Sequence, residues 1–298
     1  MGLPLLGVAV ETILEKRSQW SLRRKQLSPT FRHSVLLDNL PIINAKTNTL
    51  VTLLDALVIE EKIKLKPEDK VNSVINRVIE LYQSGDLTYD EVRDECSSLI
   101  VVSFDTTALT VANTLILLAM HPEYQERVFN ELKEVFPTAE DCELNEKHLK
   151  KLVYLERVVN ETLRLIPTVP IDPRKTTQPL TLSNGVTIPK GLTIGIDLFH
   201  THRNTDFWGP EASKFNPDNF LPANIQDRHP FAYLPFLKGR RTCLGMSHLK
   251  YSKDIPAVAR ILRNYKLSTS FRYEDLVFVD NISIKLAKQP LLEFQRRN

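Results

Sequence analysis

Cysteine is scarce in this chain and odd in number: Cys96, Cys142 and Cys243. That argues against a disulfide framework and suits a reducing compartment. Long apolar runs are missing too, since none reaches the roughly eighteen residues a membrane span needs. The opening Gly2-Leu3-Pro4-Leu5-Leu6-Gly7-Val8-Ala9-Val10 is too short, and it lacks the basic lead of a secretory signal. No sign of charge dominates. The 39 basic and 36 acidic residues leave a net charge of +3, which makes no case for nucleic acid as a partner. There is no internal repeat and no low-complexity segment. What is present is an ordinary globular composition: 298 residues, 42% hydrophobic and 25% charged, enough for one large domain or two small ones.

One stretch stands out, Phe236-Leu237-Lys238-Gly239-Arg240-Arg241-Thr242-Cys243-Leu244-Gly245. Glycines on both sides of Cys243 let the backbone turn back on itself. Arg241 places a fixed positive charge two residues away. Beyond Gly245 the apolar spacing becomes helical (Leu249, Val258, Ile261, Leu262), so Cys243 is expected near a helix N-terminus. A cation and a helix N-terminus both favour thiolate over thiol. A lone cysteine is most often a small buried hydrophobe. A thiolate held in a turn is instead a nucleophile or a soft metal ligand.

The segment resembles the haem-binding loop of cytochrome P-450, F-x-x-G-x-R-x-C-x-G, at Phe236, Gly239, Arg241, Cys243 and Gly245. The resemblance implies that Cys243 is the axial ligand of a haem iron, whose thiolate bond pushes electron density towards O–O cleavage. Three further stretches resemble motifs of the same family, in the same order.

Thr88 to Met120 reads as one long helix. Thr88 and Glu91 form a capping box at its start, and Pro122 stops it and opens the next helix. Val128, Phe129, Leu132, Val135 and Phe136 give that next helix one apolar face. The middle of the long helix is apolar except for Ser103, Asp105, Thr106 and Thr107. Such hydroxyls often bond back to carbonyls one turn earlier. The stretch Val102-Ser103-Phe104-Asp105-Thr106-Thr107 resembles the signature A/G-G-x-D/E-T-T, which implies that Asp105 and Thr106 deliver protons to bound oxygen. Its usual small pair is Val102-Ser103 here, which would narrow the oxygen groove. In related enzymes a Glu at the Val102 position esterifies a haem methyl. Valine cannot, so haem b is expected to be held non-covalently.

Residues 148–166 read as an amphipathic helix. Its Glu161 and Arg164 resemble the E-x-x-R pair, which implies a buried structural brace behind the haem loop rather than a catalytic role. The stretch around Phe215-Asn216-Pro217-Asp218-Asn219-Phe220 resembles the meander motif, with Asn219 where an arginine commonly completes a triad. An amide donates hydrogen bonds but brings no charge, so a weaker brace is expected. Residues 170–197 switch to a strand pattern, with a tight primed turn expected at Asn184-Gly185. Arg174, placed before that sheet, resembles a family arginine that pairs with a haem propionate. Trp20 and Arg24, one helical turn apart, resemble a second propionate-facing pair. Pro256 falls inside the helix after the haem loop and is expected to break or kink it.

The resemblance implies a mainly α fold with a small β portion, an incomplete cytochrome P-450 fold in one domain over 1–298. Residues 1–70 form a partial region like helices C and D, and 71–298 form the C-terminal catalytic half. No anchor helix, proline-rich hinge or N-terminal sheet is recognisable at the front, and the chain skips several roof helices between Leu57 and Val71. A truncated or alternatively spliced product, or an imperfect gene model, is the reading that follows. The implied activity is a haem-thiolate monooxygenase that inserts one atom of O2 into a fatty acid, hormone or xenobiotic. NADPH-cytochrome reductase would supply electrons at the cytosolic face of the endoplasmic reticulum, docking on a basic patch of Lys238, Arg240 and Lys250. Two alternatives stand beside it: a haem-binding pseudoenzyme or inactive fragment, and a haem-thiolate isomerase or dehydratase.

Overall fold

The computed structural model describes residues 74–138, 144–246, 254–279, 283–288 and 290–297. Trp20, Arg24, Cys142, Leu249 and Lys250 lie outside the described residues.

Helix α1 (Val74–Gln83) packs Val78 and Leu81 with Leu87 into a small cluster under the next helix. The 32-residue helix α2 (Tyr89–Met120) starts as its sequence dictates. Thr88 N–H donates to Glu91 Oε2 at 3.0 Å, and Glu91 N–H donates to Thr88 Oγ1 at 3.3 Å. Pro122 then occupies the first position of α3 (Pro122–Val135), where its missing N–H leaves no bond broken. The apolar face of α3 is buried as expected at Val128, Phe129 and Leu132.

The expected single helix over 148–166 is two, α4 (Glu146–Lys151) and α5 (Val153–Leu165), with a break at Leu152. Leu152 carries no capping side chain. Glu131 of α3 caps α5 in its place, since Tyr154 N–H and Leu155 N–H donate to its two carboxylate oxygens at 2.6 and 2.9 Å. A cap reached from another helix leaves no local signature, so the apolar periodicity runs across the break unnoticed.

Two antiparallel strand pairs follow, one of them a hairpin. Strands β1 (Ile171–Lys175) and β4 (Thr193–Asp197) pair, with Arg174 opposite Ile194. Arg174 thus sits within the sheet rather than before it. Strands β2 (Leu180–Thr181) and β3 (Thr187–Ile188) form the hairpin, but its turn is not the expected two-residue primed type. Gly185 N–H donates to Leu182 O at 2.9 Å, and Leu182 N–H donates to Val186 O at 2.8 Å. This is a three-residue loop over 183–185. Gly185 alone takes positive φ (84°), whereas a primed type I turn would need Asn184 there as well.

Helix α6 (Asp254–Asn264) contains Pro256 in its first described turn and runs on to Asn264. It buries Val258, Ile261 and Leu262 against the lower half of α2 (Leu115, Leu117, Leu118) and against Leu155, Val158 and Val159 of α5. The chain ends in β5 (Tyr265–Ser268) paired with β8 (Glu293–Arg296), and β6 (Phe278–Val279) paired with β7 (Lys285–Leu286). Gln125 of α3 behaves as an extra edge partner of β5. Its amide donates to Leu267 O and Leu118 O, both at 2.9 Å, and accepts from Leu267 N–H at 2.8 Å. The architecture is mainly α with a small β portion, as expected.

The stretch Val102–Met120 of α2 is apolar enough, by length and composition, to cross a membrane. It does so through alanine, threonine and leucine rather than an unbroken apolar run, and Leu115–Ala119 are buried in the core described above.

Candidate active site

The cysteine loop is built by backbone bonds. Cys243 N–H donates to Phe236 O at 2.9 Å, closing the ends of the motif on each other. Inside that closure Gly239–Arg241 form a single 3₁₀ turn, and Thr242 N–H returns to Gly239 O at 3.1 Å. Gly239 takes φ 80°, a conformation costly for any side chain. Leu237 takes φ 60°, the sole non-glycine with positive φ among the described residues, which the spacing gave no hint of. Phe236 packs against the main core and pins the loop from below. Gly245 lies in the turn after the cysteine, and the chain is helical again at Met246, which meets the expectation for Cys243. The Cys243 side chain itself is exposed, so it is not the buried hydrophobe that cysteines usually are.

Behind the loop lies the brace. Glu161 and Arg164, one turn apart on α5, are both fully buried. They form a two-armed pair, with Nε–Oε2 and Nη2–Oε1 both 2.7 Å. Arg164 also donates to three carbonyls, His202 O, Ala212 O and Lys214 O, at 2.9, 2.5 and 3.0 Å. Glu161 Oε1 accepts further from Asn216 N–H at 2.8 Å and from Asn219 Nδ2 at 3.1 Å. Burial raises the Glu161 carboxyl, and the donors from Arg164, Asn216 and Asn219 pull it back. Asn219 therefore joins the brace as a neutral donor, as its side-chain chemistry suggested. Residues that no motif spacing disclosed complete it. Trp208 packs against two guanidinium groups, Arg228 at 3.8 Å and Arg164 at 4.7 Å from its ring centre. Arg228 also donates to Asn219 O at 3.1 Å. His202 Nε2 accepts from Leu234 N–H at 2.9 Å, two residues before Phe236, and so couples the brace to the haem-type loop.

Arg174, the expected propionate partner, and Arg241 of the cysteine loop both act on one carboxylate. Arg174 Nη1 donates to Asp172 Oδ1 at 2.5 Å, and the charge of Arg241 is felt at the same group. Burial holds the Asp172 carboxyl above its ordinary range, and both arginines pull it down. Among the described residues, Asp172 Oδ2 is buried without a hydrogen-bond partner. Arg174 of β1 and Arg241 of the loop thus both act on one group. That group is an aspartate that no motif marks.

Asp105 and Thr106, adjacent on α2, are half-buried and point to different partners. Thr106 Oγ1 donates to Val102 O at 2.6 Å, and Ser103, Thr110 and Thr114 repeat that back-bond at 2.6 to 2.8 Å. Asp105 accepts from Ser283 Oγ through Oδ2, and Lys285 Nζ lies 3.7 Å from its Oδ1. Val102 and Phe104 beside them are exposed. Of the expected docking cations, Lys238 is engaged: it donates to Pro230 O and lies 5.1 Å from the Phe231 ring centre.

A sequence model of the cytochrome P450 family matches residues 43–277, most of the chain. The chain belongs to the cytochrome P450 family. It is 42% identical to probable cytochrome P450 313a3 of Drosophila melanogaster, over 94% of this chain and 75% of that protein. It is 52% identical to probable cytochrome P450 313a1 of the same fly, over 88% of this chain and 50% of that protein. The first alignment is 372 residues long against a chain of 298, so the relative carries internal sequence with no counterpart here, in keeping with skipped helices. Among solved structures, a cytochrome P450 (CYP102L1) superposes with a TM-score of 0.69 at 23% identity, over 87% of this chain and 56% of that one, which fixes the fold. The family is one of haem-thiolate monooxygenases that work with O2 and a redox partner on hydrophobic substrates.

The residues of this chain fit a haem. A cysteine is presented at the surface of a turned loop, with Arg241 two residues before it in that loop. Arg174 Nη1 serves Asp172 and Pro173 O, and among the described residues its Nε and Nη2 have no hydrogen bond.

Proposed function

We propose that this chain is a haem-thiolate monooxygenase that inserts one oxygen atom of O2 into a small hydrophobic substrate such as a fatty acid, hormone or xenobiotic. Electrons come from NADPH through a reductase, at the cytosolic face of the endoplasmic reticulum. The observation that carries this reading is the exposed Cys243 at the closing end of a loop, held there by its own N–H bond to Phe236 O. Haem bound there supplies the oxygen-activating iron. Cys243 holds it through sulfur and donates electron density. Arg241 and Arg174 take carboxylates bidentately, with Trp20 and Arg24 as a second pair. Glu161 and Arg164 do no chemistry; they fix the floor under the loop. Asp105 is the acid that moves protons inward, and Thr106 is the hydroxyl that orders the water between them. The haem is held non-covalently, because Val102 offers no carboxylate to esterify it.

The internal sequence of P450 313a3 that is missing here, and the exposure of Val102 and Phe104, favour a second reading: a chain that binds haem without turning over. One experiment tests the first reading and its limit. Reconstituted with haem, the full chain should give a strongly red-shifted thiolate band in the reduced, carbon-monoxide-bound difference spectrum, and Cys243→Ala should lose it. A thiolate-type band surviving in that variant removes Cys243 from the iron. A normal band without NADPH-dependent turnover selects the second reading.

A further inference from the structure

The proton-delivery reading of Asp105 leaves unexplained why both of its oxygens are held by one short stretch far along the chain. Ser283 stands at a bend and Lys285 opens β7 two residues later, and both side chains reach Asp105. Ser283 is buried, and its hydroxyl donates to Asp105 Oδ2. Lys285 Nζ lies 3.7 Å from Oδ1. Ile284 between them is buried in the core, and its N–H donates to Thr168 O at 2.9 Å. Thr168 Oγ1 in turn lies 3.2 Å from Thr110 Oγ1, five residues along α2 from the acid. The segment is therefore tied to α2 at two points, and the acid is gripped at one of them. The neighbouring Thr106 hydroxyl donates instead to Val102 O.

We propose that Ser283 and Lys285 are positioning residues for Asp105: they fix which way its carboxylate faces for proton delivery. This rests on the reading of Asp105 as the proton-delivering acid. A surface ion pair alone would contribute little. The buried hydroxyl makes the grip directional.

The test has two readouts on the full chain. In thermal melts of the chain without haem, Asp105→Asn and Ser283→Ala should each lower Tm by about 2 °C or more. The double variant should melt no lower than the worse single one, because the shared bond is lost only once. Additive losses would show that the grip does not form in solution, and the proposal falls. In the haem-loaded chain with reductase, Ser283→Ala and Lys285→Met should each raise hydrogen peroxide released per NADPH oxidised by about threefold or more, since a misplaced catalytic group costs up to about a hundredfold. Lys285→Arg should restore the ratio. If Asp105→Asn raises the ratio and neither partner variant does, the grip is merely structural: the inference falls and the role of Asp105 stands. If Asp105→Asn itself leaves the ratio unchanged, the reading of Asp105 fails and the inference goes with it.

Discussion

Leu237 holds φ 60° in the turn that leads to Cys243, a region that costs a side-chain-bearing residue about 1–2 kcal/mol. Its half-buried side chain gives some of that back, so the informative comparison is between two truncations. Leu237→Gly should be more stable than Leu237→Ala by about 1 kcal/mol in urea unfolding. At a position with ordinary φ the order would reverse. His202 offers a second prediction at this scale. Burial, with help from Arg164 and Arg203, lowers its pKa from 6.5 to about 4. The unfolded chain takes the proton first as pH falls. The neutral ring's contribution is therefore whole above pH 6.5, shrinks between 6.5 and about 4, and is flat below. The full loss is about 3 kcal/mol. Urea midpoints measured across that window should show the decline, and His202→Gln should flatten it from a lower starting stability. The proposed site residues were legible because they fall in stretches that resemble family motifs: Cys243, the Glu161–Arg164 brace, and Asp105 with Thr106. Asp172, Arg228, Ser283 and Lys285 were not, because their meaning lies in partners that only the fold brings beside them.

At the scale of elements, periodicity predicted α2 and α3 with their ends, since caps and proline act within four residues. It failed at Leu152, where the cap is Glu131 of another helix. Glu131→Ala should leave the Tyr154 and Leu155 N–H groups without that acceptor, at a cost of about 1–2 kcal/mol. Amide hydrogen exchange should quicken at those two positions first. Unchanged protection there would mean that α5 starts without help. Likewise, the hairpin was readable from Asn184-Gly185, but whether two or three residues make its loop depends on the twist of the strands.

For the whole molecule, β5 and β8 meet the helical core through a polar residue, Gln125, bonded both ways to the Leu267 backbone. Gln125→Leu matches its bulk but strands one N–H and two carbonyls. It should cost about 2–3 kcal/mol or more. The loss should be read in urea melts, with β5 opening ahead of α6 in hydrogen exchange. A stability within error of wild type would mean that water replaces the amide. Nothing in the sequence marks this glutamine, because a polar residue on an apolar helix face is recognisable as a joint only once the strand beside it is known.

Trp208, packed against Arg164 and Arg228 with its Nε1 donating to Ala232 O at 3.3 Å, gives the protein an optical consequence. Trp20 is the chain's other indole, so a Trp20→Phe chain emits from Trp208 alone. Its fluorescence then watches the floor of the cysteine loop directly, moving to the red when water first reaches the ring past the two guanidinium groups. Loosening of that floor becomes visible in real time, with no dye and no bound pigment.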